Sequence, residues 1–486
     1  MNLDKIPLKT KNFLFSTSLV THPPQRFAGF LNLLAKVLPS VLIICLKKFT
    51  VPSKYSRKIS AQQFLIRANT YLGSRRRRKV KKHLKVALWL IGDDLPSSYK
   101  RLVLKEFFTF IDDPCLHKRA SDSLAIATQS LASNSHPIEP DTWFFLSRFL
   151  NSFAFMNAAF IAREQSANLR RREVIGTDSS RRTIEAVCAA LFESLDFSKG
   201  KVILNEFGQR FRPDKYSDFN THLKLVTGKS FSNAFEIDES IFDSEPSLRS
   251  LIYGKRVSLV GPGSPVGDFG QEIDQADIVF RIKHPGKKFL SENQYHGIRC
   301  DIAQYTNLAA MELILNDGLQ LDYFDDLKAV VVLNDTDLKS IEGVPVYFFD
   351  NLNSVYRTGD LTTGTRCLVN LLKLEPAFIK LFGFDFYAGV NMYDVNRVSF
   401  NREFGWTMGN TNWLFKDSSK SFSDRVRSFL LHDQIANFSL ARNLYRAERF
   451  EIEPFGREIL RLTPGEYSDR IECVLRQSLR GESHQI

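Results

Sequence analysis

A run of aliphatic and β-branched residues, Val257-Ser258-Leu259-Val260, passes directly into Gly261-Pro262-Gly263-Ser264-Pro265-Val266-Gly267. Glycines that come after a buried strand let the backbone turn sharply and bring N–H groups, here beside the Ser264 hydroxyl, close to a phosphate. Pro262 removes one N–H and no helix opens cleanly at the last glycine, so the run departs from a dinucleotide fingerprint. A strand followed by glycines also describes many purely structural turns. A second run, Asn334-Asp335-Thr336-Asp337, comes after the strand-like Ala329–Leu333 and has the D-x-D form that holds a divalent ion against a diphosphate. Acidic residues after a strand also cap or solvate a loop. His432 is one of nine histidines, and an unperturbed imidazole titrates near neutral pH, as a general base must. The six cysteines, Cys45, Cys115, Cys188, Cys300, Cys367 and Cys473, are widely separated and form no C-x-x-C pair. Their spacing argues against a zinc ribbon or a disulfide-dense secreted fold and for a reducing compartment.

These groups need elements to hold them. From about Gly254 short β-branched runs recur: Val257–Val260, Asp277–Ile282, Ala329–Leu333, Val344–Phe349 and Phe378–Phe382. Stretches long enough for helices, such as Cys367–Leu374, lie between them. Strands alternating with helices predict an α/β domain over 250–486, a Rossmann-like parallel sheet with covering helices. In such sheets ligands sit in the loops beyond the carboxyl ends of the strands. Residues 58–240 instead place apolar residues at helical spacing, as in Phe64-Leu65-Ile66, Trp143–Ala159 and Ile184–Phe192. Breaks at Gly73, Asp93–Ser98, Ser133–Pro140 and Ser198–Gly200 divide them into short antiparallel helices, in the manner of a solenoid. Nothing in this half has the spacing of a catalytic site, so partner binding or scaffolding is its expected role. The 41 phenylalanines of the 486-residue chain suit helix-packed cores rather than disorder.

The residues beyond the glycine turn are more specific. Glu272-Ile273-Asp274-Gln275-Ala276-Asp277-Ile278-Val279-Phe280-Arg281 and Gly297-Ile298-Arg299-Cys300-Asp301 resemble the large motif of the sialyltransferases, glycosyltransferase family 29. Leu361-Thr362-Thr363-Gly364-Thr365, with Leu381-Phe382-Gly383-Phe384 downstream, is similar to the small motif. Leu431-His432-Asp433, followed by Leu440 and Leu444, looks like the motif that supplies the catalytic histidine. The three stand in the family's order over Val257–Tyr445, less than half of the chain. The departures are specific: Pro262 replaces the turn asparagine, Lys283 the asparagine after the motif arginine, and Asn437 the glutamate expected five residues after the histidine. Asn391-Met392-Tyr393-Asp394 stands where a histidine-containing motif is expected, and Val257 and Pro376 where animal members have a disulfide pair.

The resemblance implies a variant of the GT-A glycosyltransferase fold of the sialyltransferase type. It implies an enzyme that moves a sugar, sialic acid, from a CMP donor to a glycan or glycolipid hydroxyl by inverting displacement. His432 would be the base. Gly261, Gly263 and Ser264 would contact the donor phosphate and ribose, and Thr362, Thr363, Gly364 and Thr365 the cytidine or the sugar carboxylate. Arg281 and Lys283 would pair with anionic donor groups, and Tyr393 would bind phosphate in place of the missing histidine. No cofactor or metal is expected, because the leaving group is a phosphate monoester rather than a diphosphate. The threonines would also serve simply as helix caps, and Arg281 as a structural ion-pair partner. Three alternatives stay open: a CMP-Kdo-dependent transferase, a metal-dependent transferase using Asp335 and Asp337, and a non-catalytic nucleotide-binding scaffold.

The formal net charge is +12, concentrated in Arg75–Lys85 and in a smaller run at Arg170–Arg172. Without a recognition motif or a basic–aromatic platform, nucleic acid is not the expected partner. An anionic membrane surface fits better, and a solvated helix face is the plain alternative. Residues 1–57 form an apolar and basic segment in which Phe27–Leu46 has about the length of a membrane span but is interrupted by Asn32, Lys36 and Pro39. A cytoplasmic protein peripheral to a membrane is the first expectation, and a Golgi-type signal anchor at Phe27–Leu46 the second.

Overall fold

The structure, a computed structural model, describes residues 77–134, 137–228, 248–263, 266–305, 326–332, 340–341, 343–349, 361–389 and 432–480, with six isolated positions besides. The chain divides into two compact units, Met1–Ser166 with Asn410–Leu430 and Ala167–Gly409 with Leu431–Ile486. Residues 58–240, expected as one domain, are shared between them.

The first unit contains α1 (Arg77–Ile91), α2 (Ser97–Asp112), α3 (His117–Ser133), α4 (Pro140–Asn151) and the start of α5 (Met156–Arg171). Helices end at the expected breaks Asp93–Ser98 and Ser133–Pro140. At the second break Pro140 begins α4, where its missing N–H costs nothing, and the Asp94 carboxylate accepts the Glu139 N–H and the Thr142 hydroxyl at 2.7 and 2.8 Å. Ala154, with φ 64, separates α4 from α5. The phenylalanines explain how these short helices cohere. The Phe107 ring lies 4.7, 5.0 and 4.8 Å from those of Phe149, Phe153 and Phe155, in tilted and edge-on geometry. His117 stacks on Phe155, and its Nε2 lies 3.2 Å from the Ala154 carbonyl, so it is a core histidine. The basic run lies on α1 from Arg77 onward, with Arg78 and Lys85 exposed and Lys81 paired to Asp112 at 2.6 Å. Among the described residues no helix is long and apolar enough to cross a membrane. Phe27–Leu46 lies outside them.

The second unit opens with α6 (Arg181–Glu193), α7 (Phe197–Phe207), α8 (Pro213–Thr227) and the short α9 (Leu248–Ile252). Ser198–Gly200, expected as a break, is instead the first turn of α7. The turn of the chain comes earlier, at Leu195 with φ 65, and the Asp196 side chain caps the helix by accepting the Lys199 N–H. Gly200 is needed there because a Cβ would sit 2.5 Å from the Phe192 ring.

The sheet contains β1 (Arg256–Val260), β2 (Ile278–Ile282), β3 (Ile302–Tyr305), β4 (Ala329–Val332), β5 (Ser340–Ile341), β6 (Val344–Phe348), β7 (Phe378–Phe382) and β8 (Glu451–Ile452). Its order is β5-β6-β4-β3-β2-β1-β7-β8. Seven described strands run parallel, and β5 pairs antiparallel at the β6 edge. All residues of β2, β3 and β4 are buried, which is why β4 reads as a continuous apolar run rather than an alternating one and β2 as one broken only by Arg281. The covering helices include α10 (Gly270–Asp274), α11 (Lys287–Glu292), α12 (Thr363–Lys373), α13 (Gln434–Arg446), α14 (Pro454–Arg461) and α15 (Pro464–Arg480). The expected Rossmann-like parallel sheet is therefore present. Three described strands of the sheet have no counterpart among the expected runs: β3, a four-residue strand containing a glutamine, and the two-residue β5 and β8.

Candidate functional site

Chain order reverses at β1: β2, β3, β4 and β6 lie on one side of it, β7 and β8 on the other. Parallel sheets open a ligand crevice at the carboxyl ends of the strands beside such a reversal. A cleft lies there. Its lining is Pro262 and Gly263 after β1, Ile282 and Lys283 at the end of β2, Thr362–Thr365 at the start of α12, Gly383–Tyr387 after β7, Gln434, Asn437 and Phe438 of α13, and Tyr467 of α15. The cleft holds about 90 Å³. An apolar cavity of ~150 Å³ takes a benzene, so the cleft as it stands has room for a phosphoryl group or part of a ring. A wider hollow of about 810 Å³ lies at the amino ends of β7 and β8, and none of the site residues selected from sequence lines it.

The glycines of the β1 turn are explained by backbone packing. The Gly261 N–H donates to the Phe382 carbonyl at 2.8 Å and the Gly263 N–H to the Gly383 carbonyl at 3.2 Å. A Cβ on Gly261 or Gly263 would lie 2.5 or 2.8 Å from the Gly383 oxygen, and one on Gly383, with φ 67, 2.5 Å from the Gly263 oxygen. The two turns thus interlock at the β1/β7 crevice, and both amides expected to cradle a phosphate are already engaged. Ser264 lies outside the described residues, as do Tyr393 and the pair Asp335 and Asp337.

The motif residues after the turn are likewise scaffold. Arg281 is 2% exposed and does not line the cleft. Its guanidinium donates to the carbonyls of Arg299, His296 and Gly297 at 2.6, 2.9 and 3.0 Å. Asp274 accepts the Ile298 and Arg299 N–H groups at 2.8 and 3.0 Å. Buried Asp301 takes the Val279 N–H together with Arg299 and Lys328. The two ends of the large motif are thereby tied to each other around β2.

Other selected residues do meet in the cleft. Lys283 ends β2 with φ 53, a left-handed conformation that costs a side chain roughly 1–2 kcal/mol, and its N–H donates to the Gln304 carbonyl at 2.7 Å. Among the described lining residues it is the only cation and Asp385 the only carboxylate. Thr362 caps α12: its hydroxyl accepts the Thr365 N–H and lies 2.9 Å from the Thr365 hydroxyl. Thr363 and Gly364 are the first two residues of the helix, and N–H groups at these positions have no acceptor within the helix and form the positive end of its dipole. Asn437 holds this corner in place. Its Oδ1 accepts the Thr362 N–H at 2.8 Å and its Nδ2 donates to the Asp433 carbonyl at 2.8 Å. Half-buried His432 is not among the lining residues, whereas Gln434, two residues on, is.

The aromatic wall was not foreseen. Phe438 and Tyr467 stack with centroids 3.9 Å apart, and the Tyr467 hydroxyl donates to the Phe386 carbonyl at 2.6 Å. Phe386 and Tyr387 both have positive φ, 48 and 67. Asp385 holds that bend by accepting the Tyr387 and Gly389 N–H groups at 2.9 and 3.1 Å. Behind it Glu453 is 1% exposed. One carboxyl oxygen accepts the Phe455 N–H at 3.3 Å, and the other, Oε1, has no partner. Burial, reinforced by the charge of Asp385 and opposed by the main-chain N–H groups of Phe455, Gly383 and Gly456, pushes its pKa up to about 7. In the sequence, Gly383-Phe384 flagged this loop as the end of the small motif, while nothing marked Tyr467.

The chain matches no family model, no curated protein and no solved structure. The motif resemblance to the sialyltransferases has no counterpart in these comparisons.

Proposed function

We propose that the protein is a glycosyltransferase that takes a sugar, sialic acid, from a CMP donor and passes it to a glycan hydroxyl. The observation that carries this reading is the cleft at the β1/β7 reversal. Segments of all three motifs converge on it, bringing the amino end of α12, Lys283 and an aromatic wall together. A helix amino terminus and a lysine suit a phosphate, and stacked aromatic rings suit a planar base. With Gly261 and Gly263 engaged in packing, the stabilisation of the leaving phosphate passes to Thr363, Gly364 and Lys283. His432 takes the proton from the acceptor hydroxyl as the oxygen attacks the anomeric carbon. The sugar–phosphate bond breaks through an oxocarbenium-like state, and CMP leaves with the electron pair.

The test is release of CMP from CMP-sialic acid and, separately, from CMP-Kdo, with and without glycan acceptors. Release that survives EDTA and falls by about 10²-fold or more in His432→Ala is the expected result. Loss on EDTA and in Asp335→Ala, with His432→Ala active, would show a metal-dependent transferase instead. A second reading is favoured by the engaged glycine amides and by the position of His432 outside the cleft lining. On that reading the fold keeps a nucleotide site and has lost turnover, and CMP would bind without being released from any donor.

A further inference from the structure

Gln304 is fully buried in β3, at 0% exposure, and neither its amide nitrogen nor its amide oxygen has a hydrogen-bond partner. A buried amide with both ends unmet is unusual, because buried polar groups are nearly always paired. Packing does not require it either, since a methionine would fill the same space. Its direction is fixed by strand alternation. Ala303 and Tyr305 face the apolar cluster with Phe324, Val330 and Val332. Gln304 therefore faces the opposite side, that of its registered neighbours Ile282 and Val331. Ile282 is part of the cleft wall, so the unpaired amide stands one strand behind that wall. The same residue's carbonyl anchors the strained Lys283.

Two mismatches then have one resolution. The cleft of about 90 Å³ is smaller than the ~300 Å³ or more usual for a ligand the size of a nucleotide, and an unmet donor–acceptor pair lies just beyond it. We infer that Gln304 reads the ligand of this cleft: when the wall at Ile282 yields, the amide pairs with an adjacent donor and acceptor on the edge of a planar heterocycle. A side-chain amide offers that paired edge to a nucleobase. The inference rests on the nucleotide reading above.

The experiment uses the full chain and Gln304→Met, with CMP and ribose 5-phosphate, which lacks the base, as calorimetric titrants and thermal unfolding as a control. The expected result is a Tm for the variant no lower than that of the original protein. CMP affinity falls at least tenfold, while ribose 5-phosphate affinity stays within about twofold, the range set by losing a bidentate contact. A variant that binds CMP as tightly as the original, one that loses both titrants equally, or one with a lowered Tm overturns the inference alone. An original protein that binds neither titrant overturns the nucleotide reading and this inference with it.

Discussion

Glu453→Gln should make the protein more stable at high pH and leave it nearly unchanged at low pH. The Glu453 carboxyl has a pKa pushed up from 4.5 to about 7 because burial disfavours its charged form and the charge of Asp385 adds to this, together outweighing the main-chain N–H groups of Phe455, Gly383 and Gly456. Each pKa unit is worth about 1.4 kcal/mol, so the native state disfavours the carboxylate by about 3 kcal/mol. The folded protein therefore holds a proton that the unfolded chain has released over the interval between those two values. The contribution of Glu453 to stability is fully present below pH 4.5, declines through the interval, and is lost above about 7. Glutamine has the shape of the protonated acid and cannot ionise, so it keeps the low-pH behaviour throughout.

Urea unfolding of the two forms between about pH 5 and about pH 8 reads this directly. The difference in favour of Glu453→Gln should grow by about 1.4 kcal/mol per pH unit and level off near 3 kcal/mol. A difference that stays constant across the range would refute the reasoning. It would mean that the Glu453 carboxylate finds a partner and titrates like a surface acid.

Two further substitutions test the corners of the cleft. Gly261→Ala places a methyl 2.5 Å from the Gly383 carbonyl oxygen, a backbone atom that cannot rotate away, and should cost about 1–3 kcal/mol in urea unfolding. An unchanged midpoint would show that the two turns do not interlock. Asn437→Leu removes the acceptor of the buried Thr362 N–H and should cost about 1–3 kcal/mol, with weaker CMP binding in titration. Unchanged stability would show that α13 does not hold the cap of α12.

Five strands were legible because each is a short run rich in β-branched and aromatic residues, which in β1, β2 and β4 are buried on both faces. β1, β2, β4, β6 and β7 fall where Val257–Val260, Asp277–Ile282, Ala329–Leu333, Val344–Phe349 and Phe378–Phe382 place them. β3 escaped because its tetrapeptide Ile302–Tyr305 carries Gln304, and β8 because two residues carry no period. Within the cleft, Gly263, Lys283 and Thr362–Thr365 were legible from motif and spacing. Phe438 and Tyr467 were not, because a buried aromatic on a helix has the same pattern whether it lines a cleft or a core. Gly200 misled for a related reason. Glycine commonly punctuates a helix, but here the Phe192 ring demands it inside one.

The same physics bears on what the motif resemblance is worth. Asp274, Asp301 and Arg281, which give the large motif its appearance, hold main-chain groups of the segments that flank β2. Asn437, a departure from the pattern, is used in the same way, to join α13 to the start of α12. Residues of this kind preserve a backbone arrangement and are indifferent to which ligand occupies it. Chemical selectivity has to come from groups that face the cleft or lie against its wall: Lys283 and Asp385, the amino end of α12, and Gln304. Three of these four lie outside the motif patterns or depart from them, Lys283 by replacing an asparagine. A chain that kept the scaffold while changing the cleft would keep the motif pattern and differ in the ligand it takes. Ligand choice is therefore tested better by substitution at Lys283, Asp385 and Gln304 than by substitution at the large-motif residues Asp274 and Arg281.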